Sequence, residues 1–418
     1  MESEETKTAE VAERPARSRL RLWFLLGPAF VAAIAYVDPG NVAANLTAGA
    51  RYGYLLVWVL VAANAIAVFV QYQSAKLGIV TGRSLPELLG ARLGAGARRA
   101  YWAQAELVAA ATDIAEVIGG AIALNLLFGL PLPLGGLIVG VAAIALLAVQ
   151  TRRGQRPFEA VILVLLGVIA VGFLAGLFVS PVDWGAAAAG LVPRFDGAPT
   201  VLLAASMLGA TVMPHAIYLH SALARDRHGA GGDEGRTRTL LRATRLDVVL
   251  ALVLAGAVNI AMLLLAASAL PGVAGTDTIE GAHAAISAAL GPAIGAIFAV
   301  GLLASGLAST SVGSYAGVTI MSGLLRVRVP LLARRVVTLI PAVIILALGV
   351  DPTWALVISQ VFLSLGIPFA MIPLLRLTGS RAVMGERADA GWVRVVGWGV
   401  AGLVVALNLA LVVLTVVA

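Results

Sequence analysis

The chain has 418 residues, of which 60% are hydrophobic and 12% charged, with 46 glycines and no cysteine. So apolar a composition identifies an integral membrane protein, and the lack of cysteine excludes disulfides and thiolate metal sites, leaving carboxylate, amide, imidazole, thioether or backbone oxygen to hold any metal. The formal net charge of +7 does not point to nucleic acid, because the basic residues fall in short loops between apolar runs, where they act as topology signals.

Residues 1–21 form a polar tail whose acidic residues (Glu2, Glu4, Glu5, Glu10, Glu13) suit a disordered cytoplasmic segment better than a secretory signal. A spanning helix needs about 20 apolar residues, and eleven runs follow, near 22–49, 54–80, 100–128, 133–151, 158–179, 199–223, 243–270, 284–324, 330–349, 353–376 and 392–417. The eighth is long enough to project beyond the bilayer. With the N-terminus inside, every Lys and Arg except Arg51 and Arg194 falls on the cytoplasmic side. That asymmetry sets the orientation, with the C-terminus outside, and supports eleven spans.

The first run holds Ala35-Tyr36-Val37-Asp38-Pro39-Gly40-Asn41. A carboxylate within hydrocarbon is costly and marks a functional site, and Pro39-Gly40 should break the helix there. The sixth run repeats the signature as Ala210-Thr211-Val212-Met213-Pro214-His215. Breaks five helices apart are what two inverted five-helix halves give, with the binding site where the breaks meet at mid-membrane. Residues 22–179 form the first half, 199–376 the second, and 392–417 an added eleventh helix.

At the first break Asp38 offers a carboxylate, Asn41 an amide oxygen and Ala35 a freed carbonyl; at the second, Met213 offers a thioether and Ala210 the equivalent carbonyl. Hard oxygens with one soft sulfur favour Mn²⁺ or Fe²⁺ over Mg²⁺ and Ca²⁺. Asp38 could otherwise be a helix cap, and an isolated Met usually just fills core space, but its place before a helix-breaking proline opposite Asp38 favours the ligand. Gln360, beside Ser359 and Ser364 in the tenth run, could add an oxygen or serve as helix glue. Glu106, Asp113 and Glu116 share one face of the third helix. Carboxylates stacked in the bilayer cannot all be comfortably ionised, which makes them either a proton path or a set of ion pairs. Arg334 and Arg335 could partner them or merely anchor a cytoplasmic helix end. His215 could carry a proton, ligate, or be structural. Asp277, Glu280 and His283 read as a solvated outer rim. No H-E-x-x-H, Walker A or G-x-S-x-G pattern indicates an enzyme.

Asp38-Pro39-Gly40-Asn41, Met213-Pro214-His215 with Tyr218-Leu219-His220-Ser221, and Thr112-Asp113-Ile114-Ala115-Glu116 resemble the Nramp family of divalent-metal transporters, over essentially the whole chain after the tail. The resemblance implies an all-α membrane protein of the leucine-transporter type with helices 1 and 6 broken. It implies a proton-coupled importer of Mn²⁺, with Fe²⁺ and Cd²⁺ within its range, in a bacterial cytoplasmic membrane. The metal would then be substrate rather than cofactor, and a monomer with no nucleic-acid partner is the expectation. Asp38, Asn41, Met213 and the carbonyls of Ala35 and Ala210 would be ligands, with Gln360 approaching in an occluded state. Asp38, Glu106, Asp113, Glu116, Arg334 and Arg335 would form the proton pathway, with His215 tuning it. Ala216 departs from the asparagine that many members carry. Rival readings are an amino-acid or other organic-solute carrier of the same fold, a passive metal channel, and a metal-sensing receptor.

Overall fold

The computed structural model describes residues 25–417, apart from 231, 277, 328 and 329. The tail expected over 1–21, the start of the first run, Asp277 and Arg328 lie outside the described residues. Every regular element among those described is helical.

Helix α1 (Pro28–Ala33) tightens into one 3-10 turn at Ile34–Val37, the chain extends at Asp38 (φ −76°, ψ 169°), and α2 (Pro39–Tyr52) restarts. A proline disfavours helical angles in the residue before it, while its own fixed φ suits the first position of a new helix. The same chemistry acts in the second half: α9 (Gly197–Thr211) ends, Met213 is extended (φ −72°, ψ 121°), and α10 (Pro214–His228) begins on its proline. Between them lie α3 (Val57–Thr81), α4 (Leu85–Arg92), α5 (Ala95–Phe128), α6 (Leu132–Arg153), α7 (Gln155–Val179) and the short α8 (Trp184–Ala189). After the second break come α11 (Glu234–Ala269), α12 (Ile279–Leu290), α13 (Pro292–Leu325), α14 (Leu331–Ala347), α15 (Pro352–Thr378), α16 (Arg381–Met384) and α17 (Gly391–Val417).

Among the described residues nine helical stretches are long and apolar enough to cross a membrane, α9 and α10 counting as one. The two other expected spans are the interrupted first and α14, which has 17 residues. The eighth run is corrected: 284–324 is not one projecting helix. Gly291 takes φ 97°, an angle closed to most residues, and Pro292 opens α13, so α12 turns back and packs on it.

Packing repeats when the halves are exchanged. α2 packs on α11 as α10 packs on α3, and α7 packs on α13 as α15 packs on α5. The interrupted helices lie at the centre of this arrangement, with Asp38, Asn41, Met213 and His215 buried. The outer surface is the apolar one: Val164, Phe178, Leu348 and Trp392 are exposed, as a lipid-bathed bundle requires.

Candidate metal site and carboxylate network

Asp38 caps α2 with one oxygen. Its Oδ1 accepts from the Asn41 backbone N–H at 2.7 Å and from Asn41 Nδ2 at 2.8 Å. The same amide nitrogen donates to the carbonyl oxygen of Ala210 at 2.9 Å. One side chain therefore ties the first break to the second. Asp38 Oδ2 and Asn41 Oδ1 are buried without a hydrogen bond among the described residues. The cap therefore does not exclude a ligand role, since its two bonds from Asn41 commit only Oδ1.

Gln360 on α15 lies beside Asp38. It reaches there because residue 40 is glycine, where a Cβ would sit 1.7 Å from Gln360 Nε2. Nε2 donates to Ser359 Oγ at 3.2 Å, while Oε1 is another buried oxygen without a hydrogen bond among the described residues. Two of these unpaired acceptors belong to the first break and the third to the amide packed against Gly40. Burying such atoms unpaired is costly, a cost that a bound cation would relieve. Met213 is fully buried at the cap of α10, on the chain segment that carries Ala210.

The backbone groups freed by the first break are held by residues that the sequence did not single out. Asn259 on α11 donates to the carbonyl of Tyr36 at 2.6 Å and accepts from Asn45 Nδ2 at 2.8 Å. Ser305 on α13 donates to the carbonyl of Val37 at 2.5 Å. Ala35, one turn before Asp38, lies in the 3-10 turn. The Ala210 carbonyl already accepts from Asn41, which leaves one lone pair. Asn259, a lone amide in an apolar run, was the available signal.

The carboxylates of α5 are joined to α14. Arg334 donates Nη2 to Glu106 Oε1 at 2.9 Å, Nε to the same oxygen at 3.2 Å, and Nη1 to Asp113 Oδ2 at 3.1 Å. Arg335 Nη1 stands 3.8 Å from Asp113 Oδ1, both side chains fully buried. Glu116 is also fully buried, and its electrostatic neighbours are Asp113, Asp38 and Arg335. It thus links the break to the ion pairs. His215, at the start of α10, has Asp113 and Arg334 as electrostatic neighbours, and neither ring nitrogen has a hydrogen bond among the described residues. Within the stripe Glu106 and Asp113 are ion-paired, whereas both Glu116 oxygens lack a hydrogen bond among the described residues. Two glycines on α13 make the space. A Cβ at Gly313 would lie 3.0 Å from Glu116 Oε2, and one at Gly317 would lie 2.0 Å from the Arg334 guanidinium carbon.

Residues 29–414 match the family model described as "Natural resistance-associated macrophage protein-like". The chain belongs to the Nramp family. It is 60% identical over 411 residues to a divalent metal cation transporter, MntH, of Mycobacterium tuberculosis, covering 98% of this chain and 96% of the relative. Its structure is similar to that of the Eremococcus coleocola manganese transporter solved with an aromatic bis-isothiourea compound, with TM-score 0.85, 33% identity, and coverage of 97% of this chain and 88% of that one. A TM-score of 0.60 to MhsT in complex with L-phenylalanine, at 15% identity over 93% of this chain and 97% of that one, shows the fold alone. The Nramp chain therefore has the leucine-transporter-type architecture, with its first and sixth helices interrupted, expected from its motifs.

Proposed function

We propose that this chain imports divalent transition metals, Mn²⁺ foremost and Fe²⁺ and Cd²⁺ within its range, by alternating access coupled to protons. The observation that carries the reading is that Asp38 Oδ2 and Asn41 Oδ1, at the first helix break, and Gln360 Oε1, on the side chain packed against Gly40, are all buried and unpaired among the described residues. Acceptors without donors suit a cation and repel the carboxylate of an amino acid. Met213 adds the sulfur that disfavours Mg²⁺ and Ca²⁺, and the carbonyls of Ala35 and Ala210 complete the ligand set. The ion is substrate; no cofactor or catalytic step is involved.

In this reading Asp38 holds either metal or proton. Metal binding releases the proton to Glu116, and Asp113, Glu106, Arg334 and Arg335 conduct it onward, with His215 tuning the path. The repeats at 22–179 and 199–376 rearrange about the site while 392–417 stands outside them. The basic loops favour an orientation with the tail in the cytoplasm and the C-terminus outside a bacterial inner membrane, and the working unit in this reading is a monomer.

The test is Mn²⁺ uptake into proteoliposomes with internal pH recorded. Saturable accumulation accompanied by acidification is expected, and Asp38→Ala should abolish both. Uptake near normal in that variant would refute the site, and non-saturable flux without concentration would indicate a channel.

A further inference from the structure

The eleventh span carries an asparagine that none of the roles above uses. Among the described side chains of α17, Gly397, Ala401, Val404 and Asn408 are the buried ones, spaced four, three and four residues apart, so they form one face, and Asn408 is its polar member. That face packs on α15. Asn408 Nδ2 donates to the carbonyl oxygen of Ser364 at 2.7 Å, and its Oδ1 accepts from Ser364 Oγ at 2.6 Å.

The reason lies four residues along α15. The Ser364 carbonyl would ordinarily accept from the amide of residue 368, but residue 368 is a proline inside the helix and has no N–H. Pro373 removes the partner of the Phe369 carbonyl in the same way, and there the hydroxyls of Tyr218 and Tyr101 step in. α15 is therefore opened twice, and the first opening is closed by Asn408. One turn before that opening stands Gln360. The turn 360–364 is pressed from the other side by Gly209 on α9, where a Cβ would lie 2.1 Å from the Gln360 carbonyl oxygen and 2.8 Å from the Ser364 nitrogen.

We infer that Asn408 is a positioning residue: by supplying the donor that Pro368 removed, it fixes the turn that holds Gln360 over the metal site. This rests on the reading of Gln360 as a ligand. An amide on a lipid-facing helix is tolerated where both its groups are matched, and here both are spent on the residue next to the kink.

The experiment measures Mn²⁺ affinity by calorimetry on the purified full chain, for Asn408→Leu, Gln360→Ala, the pair together, and Asp38→Ala. Asn408→Leu keeps the volume and removes both bonds. It is expected to weaken binding about three- to ten-fold, the range of one interhelical hydrogen bond, and to add nothing once Gln360 is Ala. Ser364→Ala, which removes only the hydroxyl bond and is milder should Asn408→Leu fail to fold, is expected to give a smaller loss that also vanishes without Gln360. Equal losses with and without Gln360, or no loss, would overturn the inference and leave Asn408 as helix glue. A Gln360→Ala chain that binds normally would overturn it as well, while abolished binding in Asp38→Ala would show that the metal site itself stands.

Discussion

At the scale of single residues, the site is built from atoms that have been denied partners and from glycines that make way for them. Asp38 and Asn41 each commit part of their hydrogen-bonding capacity to the fold and keep one oxygen back. Met213→Ala should leave that oxygen set intact and remove the soft ligand, so Mg²⁺ and Ca²⁺ should compete with Mn²⁺ better than in the native chain. An uptake assay with competing ions measures this, and unchanged competition would make the thioether mere packing. Gly317→Ala should displace the Arg334 guanidinium, whose carbon would lie 2.0 Å from the new methyl. Breaking its pairs with the part-buried Glu106 and the buried Asp113 should impair proton flux more than metal flux, as parallel pH and metal recordings would show; equal losses would indicate a structural role. The acid and the amide stood out in the sequence because each is polar in an apolar run, and Met213 stood out only by its place before a proline in the segment that repeats the first break. The roles of Gly40, Gly313 and Gly317 were not legible, since a missing side chain carries no signal until its neighbour is known.

At the scale of elements, the two interruptions follow from local chemistry, and tertiary contacts make them tolerable. Proline extends Asp38 and Met213 and starts the next helix. The freed carbonyls of Tyr36 and Val37 then find Asn259 and Ser305 on helices more than 200 residues away. Asn259→Ala should strip the Tyr36 carbonyl and Asn45 of partners, a loss of about 1–3 kcal/mol per buried group, seen as a lower melting temperature in detergent. An unchanged melting temperature would mean that the break is held by other contacts. Both breaks were readable because the proline and its neighbours are contiguous in the chain. The division of the eighth run was missed because hydropathy does not register Gly291-Pro292, whereas the backbone does, at φ 97°.

At the scale of the whole molecule, the exchange of halves that maps α2 on α11 onto α10 on α3 explains why the breaks meet. The eleven runs and their spacing announced that symmetry and put Asn41 and Ala210 at one site, while the hydrogen bond that joins them across 169 positions was not itself legible. A dication entering a cell with an inside-negative potential of 100 mV gains about 4.6 kcal/mol, so an imposed inside-negative potential should raise initial uptake rates in oriented vesicles. No response to voltage would count against dication import. The most direct test of the account is the position of the ion itself, located by anomalous scattering at the manganese edge from crystals of the full chain soaked in Mn²⁺. One peak in coordination contact with Asp38 Oδ2, Asn41 Oδ1 and the Met213 sulfur is the predicted result; an ion bound away from both helix breaks would contradict it.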